Sequence, residues 1–521
     1  MRDQTTQLPI IGRARFDGAV FDGEADFAEA TFTGRAEFDG VVFHDYARFK
    51  RTCFAEQAQF RGARFMGEVS FEDSRFDEGV SFVNANLDGV SRFKGVEFCN
   101  RVSFGVVQFG GEADFRQTKF DRAEFRGSQF KAGADLTGSA FASTPVLGPL
   151  ICAGAVDLSE AVFQAPVTLE LAAAEVRCRR TRWESTSELR LRYATVDLRD
   201  AVLSAPTAVT AHAAPFIFLS RAMDETALRH HQPSVRVLSV QGVDAAHLVL
   251  TDTDLSNCEF TGAFHLDQIR IEGRTTFAPV PKGLHLRSHI WPVRSSKRRT
   301  LAEEHHWRAQ TERRTTALWP RTPARSWQAG PNHGDLAMTP DPEDVAALYR
   351  QLRKAFEDSK NEPGAADFYY GEMEMRRHSR TETSPGERGL LHAYWLLSGY
   401  GLRASRAFTW LALLMLTTIL LMMGLGLPQH SPKQEASGIV PAGGGRITYT
   451  IDKEDPQNPT TNWFTTKRFE KALNVTLNSV VFRSSGQDLT TWGTYVEMAS
   501  RLFEPALLAL GVLAIRGRIK R

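Results

Sequence analysis

Cysteine, long apolar runs and enzyme-type motifs are all scarce in this 521-residue chain. The five cysteines (Cys53, Cys99, Cys152, Cys178, Cys258) lie far apart with no C-x-x-C, which argues against a disulfide framework and a zinc site and suits reduced thiols in a cytosolic compartment. No G-x-G-x-x-G, P-loop, H-E-x-x-H or G-x-S-x-G string stands in a suitable context, so an enzyme is not expected, nor any cofactor or metal. A net charge of +2 with 24% charged residues excludes a strongly acidic or strongly basic protein. The opening residues carry no apolar stretch long enough for a secretory signal, so the N-terminus is expected to stay inside the cell. The length exceeds what one compact core can bury, and two or more units are expected.

Phenylalanine, in contrast, is abundant and periodic. Large apolar residues recur as Phe16, Phe21, Phe27, Phe32, Phe38, Phe43, Phe49, Phe54, Phe60, Phe65, Phe71 and Phe76, and onward to Phe120, in alternating steps of 5 and 6. The register slips once at Phe125 and Phe130, then recovers at Leu136 and Phe141. A small or β-branched residue sits two positions before each: Ala14, Ala19, Ala25, Ala30 and so on to Ser139. On a helix, residues two apart point in nearly opposite directions; on an extended segment they share a face. Gly and polar residues between the pairs, as in Asp17-Gly18 and Asp39-Gly40, suit sharp corners. Such a chain stacks into coils that each pair with their neighbours, with the Phe column as core.

Strings such as Ala30-Thr-Phe-Thr-Gly34 and Ala36-Glu-Phe-Asp-Gly40 resemble the Phe-rich variant of the pentapeptide-repeat family. The resemblance implies a mainly β fold, a right-handed quadrilateral β-helix, with the Phe and the small residue before it pointing inward. It covers residues 1–141, although the extra residue in alternate steps departs from strict five-residue periodicity. Residues 142–281 read as a degenerate continuation, fragmentary up to Ser234, sharpening from Thr253 to Phe277 and stopping at Pro279 and Pro281.

Residues 282–341 read as a basic linker: between Arg294 and Arg325 nine basic residues face three acidic ones, interleaved with Trp307 and Trp319. A solvated segment or an anionic membrane surface fits this better than nucleic acid. Glu303-Glu-His-His306 lacks metal-site spacing. Residues 342–404 predict a cytoplasmic helical hairpin or neck, with Asp341 and Pro342 opening one helix and Asn361-Glu-Pro-Gly364 separating it from the next. The string Phe368-Tyr-Tyr-Gly-Glu-Met-Glu-Met375 resembles a segment of bacterial membrane proteins that carry pentapeptide repeats.

Residues 405–427 predict a first transmembrane helix, since 407–427 hold no charge and basic residues crowd the upstream side. Residues 494–515 predict a second, followed by a basic cytoplasmic tail, 516–521. Both termini are then expected in the cytoplasm of a bacterial cell, at the inner or plasma membrane. Within the second span Glu497, Arg501 and Glu504 are expected on one helical face, able to pair. The loop 428–493 holds a short helix over 470–483, with Leu473, Leu477, Val480 and Val481 on one side. Helix, loop with half-length helix, helix resembles a two-transmembrane pore-loop channel subunit, although Phe482-Arg-Ser-Ser-Gly-Gln487 lacks a Gly-rich carbonyl ladder. Gly399-Tyr-Gly401 spells a filter tripeptide but precedes the first span.

The leading expectation is a membrane-anchored scaffold that binds an unidentified cytoplasmic protein. The alternative is an oligomeric channel-like pore or sensor, built as a homo-oligomer. DNA mimicry against topoisomerases, known for some pentapeptide-repeat proteins, comes third: eight acidic residues between Asp17 and Asp45 favour it, but the imbalance ends there, and nucleic acid is not an expected partner.

Overall fold

The computed structural model of the chain describes residues 9–281, 284–286, 292–294, 298–315, 327–330, 339–381, 383–430, 434–438, 449–453, 455–459 and 461–519. They fall into two compact units, Met1–Met375 and Arg376–Arg521.

The first unit opens with a parallel β-solenoid of about 12 turns. Each early coil has four two-residue strands, for example Ala14–Arg15, Val20–Phe21, Ala25–Asp26 and Thr31–Phe32, after which Ala36–Glu37 pairs with Ala14–Arg15. Two steps of five and two of six make a coil of 22 residues, so Phe21 lies beside Phe43 and Phe32 beside Phe54. The 5/6 alternation is therefore one step per side of a four-sided coil. The slip after Phe120 is a coil of 21, with Val102 beside Ala123 and Phe120 beside Phe141.

Inside, the rings stack at the strand spacing of about 4.8 Å. Phe32, Phe54 and Phe76 are 4.8 and 4.5 Å apart and nearly coplanar, and Phe120, Phe141, Phe163 and Trp183 continue that column at 4.9, 4.7 and 4.3 Å. Phe38 through Phe76 are fully buried, whereas Phe16, Phe21 and Phe27 in the first coil are half-buried. At several small positions a hydroxyl donates to a carbonyl one coil back: Thr52 to Phe27, Thr118 to Phe93, Thr181 to Leu158, at 2.7–2.9 Å. Two corners of each coil take a left-handed residue: one is supplied by Gly18, Gly40 and Gly62, then Asn84, then the unsuited Val106 at φ 60°, the other by Glu29, Arg51, Asp73 and Gly95.

From Ala142 to Ala211 the coils continue, with register shifts between Leu147 and Leu150 and between Cys152 and Ala155. Their strands are longer, Val146–Asp157 and Val167–Arg177, and the coil shortens to 20 residues, as in Val167 beside Ser187 and Arg182 beside Val202. Apart from Phe163 and Trp183 the core here is Leu, Val, Ala and Cys. Residues 212–234 leave the solenoid altogether, since Thr195 pairs next with Arg236. This insertion folds into a hairpin, Ile217–Phe218 with Arg221–Ala222, and lays Phe216 and Leu228 on the outward side chains Ile151 and Ala172. It is pinned by a buried ion pair, Arg192 to Glu225 at 2.8 and 2.9 Å, to which the Tyr193 hydroxyl donates at 3.0 Å.

The parallel ladder ends at Thr276, and Ala278–Pro279 pairs antiparallel with Arg299–Thr300. Three helices follow: α1 (Ala302–Thr315), α2 (Pro342–Asp358) and α3 (Glu362–His378). α3 starts three residues before Ala365 because Lys360, at φ 57°, already makes the break and Pro363 fits a first turn. The hairpin is not a neck: it closes the solenoid, with Phe356 and Phe368 on Phe277 at 6.0 and 5.1 Å and Leu301, Val345, Tyr349 and Leu352 in the same core.

The second unit holds α4 (Pro385–Ser398), α5 (Ala404–Leu421), α6 (Thr466–Val480) and α7 (Thr491–Ile519), with a hairpin of Gln434–Gly438 and Tyr449–Lys453 between α5 and α6. Ala404–Gly426 and Thr491–Arg516 are long and apolar enough to cross a membrane.

Candidate functional site

α5 widens in its last turn, Met422–Gly426, and ends with carbonyls that its own backbone does not satisfy. Arg468, in the first turn of α6, donates to them: to Met423 at 2.8 and 3.1 Å, to Leu427 at 2.7 Å and to Pro428 at 3.0 Å. Burial lowers this guanidinium from its ordinary value. The start of α7 closes the same end, where Thr490 donates its N–H to Gly426 at 3.0 Å and its hydroxyl to Leu425 at 2.6 Å. The backbones touch here: a Cβ on Gly493 would stand 2.3 Å from the Gly426 oxygen. Small residues at such a crossing are how helices pack closely in lipid.

From that end α6 runs back along α5, burying Ala472 and Val475 against Ile419, Met422 and Met423. Thr476 and Ser479 are buried too, their hydroxyls donating at 2.9 Å to carbonyls of their own helix. The packed side is thus the small one, with Leu473 of the expected stripe partly buried against it, while Leu477 and Val481 are 49% and 64% exposed. After Val481 the chain turns at Phe482, φ 58°, and returns to Thr490 beside Gly426. Midway, the Ser485 N–H donates to Glu497 at 3.1 Å. Helix and extended return segment form a loop that doubles back between the two apolar helices.

Of the three charges expected on one face of the second span, two pair: Arg501 donates to Glu497 at 2.9 Å, one turn apart. Glu504 does not join them. It is fully buried against α5, where it lies 2.9 Å from the Thr418 hydroxyl. Thr418 and Arg468 were not foreseen, because a Thr417-Thr418 pair in an apolar run and an arginine in a mixed-charge stretch have no periodic pattern, whereas Ser485 lies in the Phe482–Gln487 segment at the pore-loop position. Gly399-Tyr400-Gly401 is the left-handed end of α4, which accounts for its glycines without a filter role.

On the solenoid, charge is laid out in ladders of unlike sign on neighbouring coils. Arg48 faces Asp26, Lys50 faces Glu72 and Arg51 faces Glu29, each 22 residues away, while Arg177 and Arg190 face Asp157 and Glu170 at 20. Most of these are exposed pairs of small energetic weight.

At the capped end, Glu303 accepts the backbone N–H groups of Phe260 and Thr261 at 2.5 and 3.0 Å, closing the last edge of the ladder. Burial pushes its carboxyl up to about 7 despite these bonds. Glu304 is as deeply buried, but Arg298 and Arg308 outweigh desolvation and hold it down to about 2. It takes bonds from Arg298, from Arg308 at 2.7 Å and from the Tyr349 hydroxyl at 2.6 Å. Burial lowers His305 to about 4, with its Nε2 2.8 Å from the Thr300 hydroxyl. Arg298 and Arg308 thus belong to a folded junction, which corrects the linker reading. Arg294 and Trp319 have no described side chain. Among the described residues no three His, Cys, Asp or Glu side chains are placed to hold a metal ion.

Fold and helical unit together define a β-solenoid protein with two helices able to span a membrane. Residues 11–52 and 49–97, the early coils of the solenoid, match the family model for pentapeptide repeats (9 copies). No curated protein and no solved structure matches the chain.

Proposed function

We propose that this protein is a membrane-anchored scaffold: the apolar helices hold it in a bilayer, and the solenoid presents a rigid, variable surface to a protein partner in the cytoplasm. One observation carries this reading. Along one side, the inward column Phe21, Phe43, Phe65, Leu87, Phe109, Phe130 hardly changes, while the outward residues directly before them run Val20, Val42, Arg64, Asn86, Gln108, Gln129. Folding constrains the first column and leaves the second free for recognition. The basic side of the first span favours cytoplasmic termini. The test is crosslinking of the full chain in its native membrane. Reproducible crosslinks from exposed Lys119 and Lys131 to one protein are expected, and failure to capture any reproducible partner counts against the reading.

A second reading, an oligomeric channel-like pore, draws on the loop that doubles back. Non-helical backbone at membrane depth is tolerated where it is buried in protein or lines water, and Arg483, Ser484, Gly486 and Asp488 are exposed in a single copy. Further copies around a shared axis would enclose them. Conductance in planar bilayers that changes with Arg501→Gln supports this, and silence across ions and voltages removes it. DNA mimicry fits least, since Asp26 and Glu29 each face an arginine of the next coil.

A further inference from the structure

α4 is turned inside out for a helix in water. Its exposed residues from Gly386 onward are Gly386, Gly389, Leu390, Ala393 and Leu396, with His392 at the edge. At one helical period these make an uncharged stripe in which Leu390 is 73% and Leu396 47% exposed. The polar and aromatic groups face the protein instead. Glu387 accepts from Arg376 at 2.8 Å, and Trp395 lies between the guanidinium groups of Arg377 and Arg406, 4.4 and 5.1 Å from its ring centre. Trp410 of α5 donates to the Leu396 carbonyl at 3.1 Å, so the stripe is fixed relative to the first span.

A helix of 14 residues is about 21 Å long, too short to cross a hydrocarbon layer of about 30 Å. It joins α5 through a five-residue turn at the end of the span ringed by Arg403 and Arg406. Helices that lie along a bilayer surface combine an apolar outer stripe with flanking basic groups in this way. We propose that α4 is a third membrane element, lying in the headgroup region of the leaflet where α5 begins, with lipid acyl chains against Leu390, Ala393 and Leu396. This rests on α5 and α7 being membrane spans and adds a contact that the expected cytoplasmic neck did not contain.

The test places the photo-crosslinker p-benzoylphenylalanine singly at Leu390, Leu396, Leu413 or Gln57 in the full chain, held in nanodiscs of phosphatidylcholine and phosphatidylglycerol. Leu413 is an exposed residue of α5, and Gln57 an exposed residue of the solenoid. After illumination, mass spectrometry reads phospholipid adducts. Yields at Leu390 and Leu396 comparable to Leu413, and at least about tenfold above Gln57, are expected for a stripe in lipid. Adducts at Leu413 with background at either α4 position overturn the proposal and leave the spans standing. Background at Leu413 as well overturns both.

Discussion

Replacing Glu303 by glutamine isolates the closure of the solenoid in a single titration. Glutamine keeps an oxygen for the N–H groups of Phe260 and Thr261 but cannot ionise. In the folded chain burial raises the Glu303 carboxyl from 4.5 to about 7. Over that interval the folded chain holds a proton that the unfolded chain has released. The associated stability is complete below the ordinary carboxylate range and is lost as pH rises to about 7. A rise of this size corresponds to roughly 3 kcal/mol. His305 acts in the opposite direction: held at about 4 by burial, it stays neutral while the unfolded chain takes up a proton below 6.5, so it costs stability on the acid side. Glu304, held at about 2, contributes stability above the ordinary range that is lost only in strong acid. Both neighbours remain in the variant, so the difference between the two proteins reports Glu303 alone. Urea unfolding of the full chain in detergent, followed by circular dichroism from about pH 5 to 8, should show the wild type losing about 3 kcal/mol relative to Glu303→Gln. Parallel pH profiles for the two proteins would refute the closure argument.

Phe60 touches six other rings, among them Phe38 at 4.9 Å and Phe82 at 5.0 Å, so Phe60→Ala should cost about 3–5 kcal/mol in the same assay; a loss under 1 kcal/mol would mean that the coils do not share a packed core. Val106→Gly should stabilise by about 1 kcal/mol, since it relieves a β-branched residue at φ 60° in an open corner, and a lowered urea midpoint contradicts this. Gly493→Ala drives a methyl into the Gly426 carbonyl, so thermal aggregation in detergent should begin several degrees lower, whereas the exposed Gly486→Ala should shift it less. Arg468→Met removes four hydrogen bonds to the carbonyls of Met423, Leu427 and Pro428 and should destabilise the helical unit, read as faster amide exchange over residues 422–428.

The solenoid was legible because its interior obeys a short-range rule. A ring every five or six residues with a small residue two before it needs no knowledge of distant contacts, and the count per coil follows by addition. The pattern became hard to read after Phe141 for a physical reason: the insertion 212–234 covers outward positions such as Ile151 and Ala172, so alternation disappears although the coils persist. The cap was read as a linker and a neck because its meaning is tertiary. Nothing local in Glu303-Glu304-His305 distinguishes a solvated charge run from one that accepts the last backbone donors of a ladder. In the helical unit both long apolar helices were readable from hydropathy, while the short helix lies at Thr466–Val480 rather than over 470–483. The Glu504 to Thr418 contact joins residues far apart in the chain, and no spacing rule reaches that far.

A stack with parallel, in-register pairing has a further property. Adding or deleting one whole coil leaves every neighbour relation above and below it unchanged and alters the reach of the rod by one strand spacing, about 4.8 Å. Copying a repeat within the gene is thus a small mechanical step, and the change from 22-residue to 20-residue coils shows that the stack tolerates mixed gauges. The length of this domain is adjustable in quanta while its sealed end stays intact, as in a ruler extended from one side only.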